Sequence, residues 1–491
     1  MIRWRVIENS LPADVRTAVL RVDELAPYAP EWKLLRSGNT RSIYRYSPPE
    51  RNGQSWLIKW GHNYNFRQTC NALFGPTDAD REAEAMRRAL EAGIPTVPPR
   101  LTATTPLWRQ PLQTILVTEF IAGSRDLFTI LKEIRCNATS VKQLLSDLAE
   151  LLIRIHRACI VHNDLSATNV LLKKNGELYV VDLAKMRFAI KEMGEFHRDL
   201  TRIVIDLMAA GIATRDINSL LAYYVERMDM PAQSRRIILE RVPEKALAAC
   251  RRIAHRASRN SIRKSRTLDR FRYGGFRVFM VKGHDALSAR RFIDRRHESP
   301  EDLDQQSTYY HHAPFWSRKE SSLLRGWRMR RALHYSGLGG DEAVAFAHRF
   351  GLKREELLIC SWPQDGRSLR NGLAASSTRC HILKTAGHFL RRLHQMGMNL
   401  TRFDIRSWRL CEDASGAPFL FTTDFDAFTF LHEEDLGTRF HWILQWLPHA
   451  ITAGLTKRDL AVFLRAYCVG KIDRNLWAFF EAATTVEHNL D

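Results

Sequence analysis

Residues 156–182, HRACIVHNDLSATNVLLKKNGELYVVD, constrain this chain more than any other stretch. Ahead of them, Leu144, Leu148, Leu151, Leu152 and Ile155 recur at helical spacing, which predicts a buried amphipathic helix. Next come His162-Asn163-Asp164-Leu165, with Asn169 five residues past the aspartate. Apolar runs 170–172 and 178–181 flank a Lys-Lys-Asn-Gly turn, so they read as a strand hairpin that ends on Asp182. The hairpin returns Asp182 to the loop that carries Asp164 and Asn169. An ordinary hairpin with a capping Asp and Asn has no need of three polar anchors and two apolar strands in one register.

The residue types suit chemistry on ATP. Asp164 can orient an acceptor hydroxyl and take its proton. Asn169 and Asp182 offer the hard oxygens that Mg2+ prefers, and the metal bridges phosphates. Helix, loop, strand, turn, strand and carboxylate follow in the order used by phosphoryl-transfer enzymes of the kinase fold. Upstream, residues 34–60 read as strands around a tight Ser37-Gly38-Asn39-Thr40 turn, where the Gly38 backbone can approach phosphates. Lys59, in the apolar strand WLIKW, is placed to reach the α- and β-phosphates. On the helix ADREAEAMRRALEAG, Glu82 lies four residues before Met86, on the packed face, and is expected to pair with Lys59. TILVTEFIAG is a buried strand entering a hinge, whose backbone from Glu119 to Ala122 would meet the adenine edge. Asp199 in HRDLTRIVIDL is expected to open a helix and tie the loop from beneath.

At 491 residues, two or three domains are expected. The net charge of +20 and pI near 9.8 call for a polyanionic partner: a nucleic acid, an acidic lipid headgroup or a phosphorylated glycan. No nucleic-acid recognition module or aromatic stacking motif accompanies the charge, so nucleic acid is not expected. Eight cysteines are scattered with no C-x-x-C pair, which fits free thiols in a reducing cytosol. The N-terminus shows no apolar signal core, and no run reaches the length of a membrane span. A cytoplasmic protein is therefore expected, one that lies on a membrane if it meets one at all. Residues 1–29, polar and Pro-containing, read as a short lead-in.

Residues 30–255 resemble the lipopolysaccharide core kinases, the heptose/Kdo kinase family of the protein-kinase-like fold. The resemblance is carried by Lys59, Glu82, the HNDLSATNVLL run, VVDLAK at Asp182 and the HRDL segment at Asp199. It implies ATP-dependent phosphorylation of an inner-core sugar at the cytoplasmic face of the inner membrane, with an anionic glycolipid as substrate and peripheral membrane contact. This chain differs from the family pattern in its glycine-poor phosphate loop and in Leu183-Ala184 after the metal aspartate.

The second half reads as a worn copy of the first, at a spacing of about 240 residues. RVFMVKGH around Lys282 echoes SWLIKWGH around Lys59, and RMRRAL around Met329 echoes AMRRAL around Met86. LLICSWPQDGRSL echoes ILVTEFIAGSRDL. FDIRSWRL at Asp404 echoes NDLSATNVL, and FLFTTDFDAF at Asp424 echoes LYVVDLAKM. GLTKRDLAVFLRAY echoes GIATRDINSLLAYY. The chemistry is not copied: Arg325 stands for Glu82, Arg402 for His162 and Arg409 for Asn169, a fixed cation at a metal position. The basic stretch 251–266 separates the halves. The expected fold is α+β: two tandem protein-kinase-like bilobal domains, 30–255 intact and 256–491 a pseudokinase, each with a small β-rich N-lobe and a helical C-lobe. Arg402, Arg406 and Arg409 together are a candidate phosphate site.

Two other readings share these features. A small-molecule kinase of the aminoglycoside or choline type also uses H-x-D-x-x-x-x-N. A tandem pseudokinase could instead scaffold envelope-assembly enzymes. The missing Ala-Pro-Glu anchor and long activation segment argue against a protein kinase.

Overall fold

The computed structural model describes residues 4–259 except 27, 39, 52, 65, 106–110, 135–137 and 189–195. From 268 onward it describes the elements named below and a few residues beside them. Two compact units result. The first comprises Met1–Lys132, Thr139–Leu207 and Thr214–Pro243, and the second Glu133–Ala138, Met208–Ala213 and Glu244–Asp491. Among the described residues, no helix is long and apolar enough to cross a membrane.

The first unit begins with β1 (Arg5–Asn9), α1 (Ala13–Val19) and α2 (Val22–Leu25). Then come β2 (Trp32–Ser37), β3 (Arg41–Tyr46), β4 (Trp56–Gly61), α3 (Phe66–Phe74), α4 (Asp78–Glu91), β5 (Pro99–Thr104) and β6 (Thr114–Glu119). The six strands form one antiparallel sheet in the order β1-β5-β6-β4-β3-β2. Period-two alternation sorts its side chains. Tyr44, Tyr46, Trp56, Ile58, Leu101, Ala103, Ile115 and Val117 share one core with Leu11, Val15, Val19 and Val22. The next residue on β4, Lys59, points to the other face.

The stretch read as a lead-in is thus built into the sheet. Val15, Val19 and Val22 recur at i, i+4 and i+7, and α1 and α2 bury them against the Trp- and Tyr-rich face that would otherwise meet water. Helix α4 is set by a capping box: the Thr77 hydroxyl accepts from the Asp80 N–H at 3.3 Å, and the Asp80 carboxylate accepts from the Thr77 N–H at 2.9 Å. Thr77→Ala should therefore lower unfolding stability by about 1 kcal/mol, read as a shift in denaturant midpoint at unchanged slope.

After the hinge come β7 (Arg125–Asp126), α5 (Leu127–Ile134), α6 (Ala138–Arg157), β8 (Ile160–Val161), β9 (Val170–Leu172), β10 (Leu178–Val180) and β11 (Arg187–Phe188). The helices α7 (Phe196–Ala209), α8 (Thr214–Arg227), α9 (Ala232–Arg236) and α10 (Val242–Arg259) follow. Small sheets β10-β9-β7 and β11-β8 frame the loop between β8 and β9. Leu144, Leu148, Leu151, Leu152 and Ile155 of α6 are all buried. Thr96 ties the two parts of this unit: its hydroxyl donates to the Val180 carbonyl at 2.7 Å, and the Val180 N–H donates to Pro95 at 2.9 Å.

The second unit contains β12 (Leu268–Tyr273), β13 (Phe276–Val281), α11 (Ala286–Asp294), β14 (Gln306–Pro314), α12 (Ser322–Tyr335), β15 (Ala343–Phe350) and β16 (Lys353–Ser361). Its sheet runs β12-β13-β15-β16-β14. Val278 and Met280 face Ala289 and Ile293 of α11, while Phe279 packs with Trp327 of α12. Then come β17 (Arg367–Ser368), α13 (Leu369–Ala374), α14 (Ser376–Gln395), β18 (Met398–Leu400), β19 (Trp408–Glu412), β20 (Pro418–Thr422), β21 (Phe428–Phe430) and α15 (Lys457–Cys468).

Several details of the two units correspond. Sheet β17-β19-β20 has the connectivity of β7-β9-β10, and β18-β21 that of β8-β11. His156, near the end of α6, meets the Tyr224 hydroxyl through Nδ1 at 2.7 Å, with the rings edge to face at 5.6 Å and 89°. His394, near the end of α14, meets Tyr467 in the same way at 2.8 Å, 5.7 Å and 83°. Three residues past each histidine the chain turns through positive φ, at Cys159 (55°) and Gly397 (71°). One difference stands out. β6 lies directly against β4, whereas β16, the strand that echoes it, is separated from β13 by β15. The nine-residue β14, which no echo anticipated, occupies the outer edge of β16.

Candidate active site

Asp164, Asn169 and Asp182 come together because the β9–β10 hairpin folds back onto the loop after β8. The Val181 N–H donates to the Asn169 carbonyl at 2.9 Å, and the Asn169 carboxamide N–H donates to the Asp164 carbonyl at 3.0 Å. With its nitrogen engaged there, the Asn169 carboxamide presents its oxygen elsewhere. Asp182 sits at φ 60° and ψ 55°, a left-handed conformation that Asp tolerates better than most residues. Its carboxylate oxygen lies 3.8 Å from Lys59 Nζ.

Lys59 and Glu82 form a buried hydrogen-bonded ion pair, and Glu82 has no exposed surface. Arg41, which the sequence reading did not single out, reaches the second Glu82 oxygen at 3.3 Å. One carboxylate from α4 therefore holds two cations from the sheet. Gly38 closes its turn by donating its N–H to the Arg41 carbonyl at 2.8 Å, and a Cβ there would sit 3.2 Å from that oxygen. At the hinge, the Glu119 side chain accepts from Arg100 at 2.5 Å, and the Phe120 N–H donates to Ser55 at 2.9 Å.

Helix α7 shapes the loop between β8 and β9 from below. Asp199, with no exposed surface, accepts the backbone N–H groups of His162 and Asn163 at 2.7 and 3.0 Å. Two turns on, Asp206 accepts the Ala167 N–H at 2.7 Å, and burial pushes its carboxyl above the usual range. His162 accepts the Asp164 N–H at Nδ1 (3.3 Å) and donates from Nε2 to the Val181 carbonyl (3.2 Å). That pattern requires the neutral imidazole, and burial lowers the His162 pKa accordingly.

The Asp164 carboxylate is gripped on both sides. Lys185 Nζ donates to Oδ2 at 2.5 Å, and Arg202 binds Oδ1. Partial burial pushes this carboxyl up, but the Lys185 hydrogen bond and the Arg202 charge outweigh it and hold the group below the usual range. The carboxylate is therefore ionised at neutral pH.

Mg2+ binding to one or two side chains, completed by phosphates and water, needs only a sparse protein donor set. The Asp182 carboxylate and the Asn169 carboxamide oxygen are hard, and Asp182 is half-exposed, so this donor set fits the ion. No group of three His, Cys, Asp or Glu side chains among the described residues offers another metal site.

The sequence model of the lipopolysaccharide kinase (Kdo/WaaP) family matches residues 29–224. This part of the chain is similar to that family. The matched segment contains Lys59, Glu82, Asp164, Asn169, Asp182 and Asp199 and ends on Tyr224, the partner of His156. Among solved structures, the chain is similar to WaaP in complex with acyl carrier protein. The identity is 21% over 49% of this chain and 98% of that one, with a TM-score of 0.38. No curated protein matches the chain.

Of the second-half counterparts, Lys282, Arg402, Asp404, Arg406 and Asp424 lie outside the described residues. Arg325 is exposed on α12, whereas Glu82 on α4 is buried. Arg409 is half-buried on β19, opposite Phe421 and Ser368.

Proposed function

We propose that the first unit is an ATP-dependent phosphotransferase that phosphorylates a heptose or Kdo hydroxyl of the lipopolysaccharide inner core. The match of residues 29–224 to the lipopolysaccharide kinase family model supports a kinase acting on that core. The observation that carries the catalytic assignment is the convergence of Asp164 and Asn169 on one loop with Asp182, 3.8 Å from a lysine fixed by a buried glutamate.

Lys59, steadied by Glu82, binds the α- and β-phosphates, the Gly38 turn covers them, and the backbone at Glu119 meets the adenine. Asn169 and Asp182 hold Mg2+, which when bound neutralises phosphate charge. Asp164 hydrogen-bonds the sugar hydroxyl. As that oxygen bonds to the γ-phosphorus and the bond to ADP breaks, the hydroxyl proton passes to Asp164. Positioning and electrostatics supply most of the rate.

The second unit reads as a degenerate kinase-like domain. The matched small sheets, the duplicated His–Tyr pair and the shared turn after each histidine support a tandem origin. Arg409 in place of Asn169 argues against metal-dependent catalysis there. A basic chain of net charge +20 suits an anionic glycolipid at the inner face of a membrane. The test is mass spectrometry of dephosphorylated lipopolysaccharide core after incubation with the full chain, ATP and Mg2+. One added phosphate on a heptose or Kdo fragment supports the proposal. Phosphate found only on aminoglycoside or choline acceptors would replace it with the small-molecule kinase reading.

A further inference from the structure

Helix α7 does more than brace the loop. Arg198 and Arg202 lie four residues apart, hence on one helix face. Arg198 donates to the Asn163 side-chain oxygen at 3.2 Å, and Arg202 binds Asp164. Lys185, on the turn just past Asp182, approaches Asp164 from the other side at 2.5 Å. Its side chain is 63% exposed and that of Arg202 42%, against 28% for Asp164. Three cations thus line the rim of the loop.

Among the described residues, the nearby acids do not balance them. Asp199 is spent on two backbone amides beneath the loop, and Asp206 on the Ala167 amide. Asp182 faces Lys59. Among the described residues, that leaves Asp164 against Lys185, Arg198 and Arg202. Its carboxylate must also be released, at least in part, for an acceptor hydroxyl to reach it. The cations then need another anion, and the first turn of α7 adds the positive end of the helix dipole on the same side.

We infer that Lys185, Arg198 and Arg202 form a binding site for an anionic group carried by the sugar acceptor, beside the hydroxyl that Asp164 receives. The inference rests on the kinase reading and names the acceptor chemistry it requires. The ligand is a carboxylate of a sugar acid, or a phosphate already present on a neighbouring sugar. The guanidinium fork matches either anion through paired N–H donors. In the free protein Asp164 stands in for that anion. When the acceptor binds, its own anion takes the cations, and Asp164 is left to the hydroxyl. Charged acceptors are thereby selected by the same residues that hold the base.

The test is calorimetric binding to the full chain with the non-hydrolysable ATP analogue AMP-PNP and Mg2+. The probes are a dephosphorylated core oligosaccharide with free Kdo carboxylates, its carboxylate methyl ester, and the ester carrying one phosphate. Wild type should bind the free carboxylate at least about tenfold tighter than the ester, the scale of one charge-assisted hydrogen bond. Lys185→Met and Arg202→Gln should remove that difference while ester binding stays unchanged. A preference for the phosphorylated ester, lost in the same variants, also supports the site and assigns phosphate as the anion. Equal binding of all three probes, no binding of any, or a preference kept by both variants would overturn the inference. So would variants that weaken only AMP-PNP binding, since the cations would then serve the nucleotide. Failure of the kinase reading is separate: wild type would bind charged saccharide yet move no phosphate from ATP.

Discussion

Asp164→Ala should lower kcat by about three orders of magnitude while Mg-ATP binds nearly as in wild type. The loop anchors explain why binding survives. The Asp164 N–H is held by His162, its carbonyl by Asn169, and the preceding amides by Asp199. None of these contacts uses the Asp164 side chain, so alanine leaves the loop in place. Lys59, Glu82 and Asp182 form their own cluster and keep the nucleotide side intact. On the proposed mechanism what is lost is the proton acceptor, an interaction made in the transition state, so kcat and kcat/KM fall together. Rapid-mix kinetics and calorimetry on the same preparation measure both quantities. A large loss of ATP affinity would place Asp164 in the nucleotide site instead.

The same geometry fixes a pH dependence. On the proposed mechanism Asp164 must be ionised to act as a base, and its carboxyl is held below the usual range by Lys185 and Arg202 against the effect of burial. Activity should therefore be lost only as pH falls through a value lower than an ordinary aspartate, about 3.9. Lys185→Met should move that acid limb upward. An acid limb unmoved in this variant would contradict the assignment.

Asp199→Ala carries the largest expected cost in stability. The carboxylate is fully buried and accepts two backbone N–H groups, with His156 Nε2 at 3.8 Å. Alanine removes the acceptor and strands both amides away from water. At roughly 1–3 kcal/mol for each buried unsatisfied group, the loss is about 3–5 kcal/mol. For a unit of this size that corresponds to a drop of roughly 8–15 °C in Tm. Turnover should fall as well, because His162 and Asn163 set the backbone on which Asp164 stands. Asp199→Asn retains one acceptor and should fall between wild type and alanine. Differential scanning calorimetry orders the three proteins, and a Tm for Asp199→Ala within a degree of wild type would remove Asp199 from its bracing role.

Much of this site was legible because its residues sit on strongly periodic elements. The apolar spacing of α6, the alternation of β4 around Lys59 and the packed face of α4 each fix a side-chain direction from neighbours in sequence. Asp199 was legible because a carboxylate in the first turn of an apolar helix, close to the loop, has few other uses. The residues that were missed depend on distant partners. Arg41, Lys185, Arg198 and Arg202 look like solvated charges in sequence, and only the fold reveals the carboxylates or amide they meet. The Thr96 tie to Val180 spans 84 residues and leaves no local trace.

The N-terminal segment was missed for a different reason. Its prolines and charges obscured Val15, Val19 and Val22, although their spacing already described a buried face. In the second unit the echoes fell on β13, α12, β16, β19, β20 and α15, but gave no sign of α14 or of the placement of β15 between β13 and β16. Strand order within a sheet depends on which hairpin edge is covered, and the echoes carried no signal for β14.

The central claim is that the first unit transfers phosphate to lipopolysaccharide core. Its most direct test is transfer of labelled γ-phosphate from ATP to dephosphorylated core by the full chain, with wild type, Asp164→Ala and Asp404→Ala compared side by side. The account predicts labelled glycan with wild type and with Asp404→Ala, and none with Asp164→Ala. Label that persists in Asp164→Ala, or disappears in Asp404→Ala with folding intact, would contradict it.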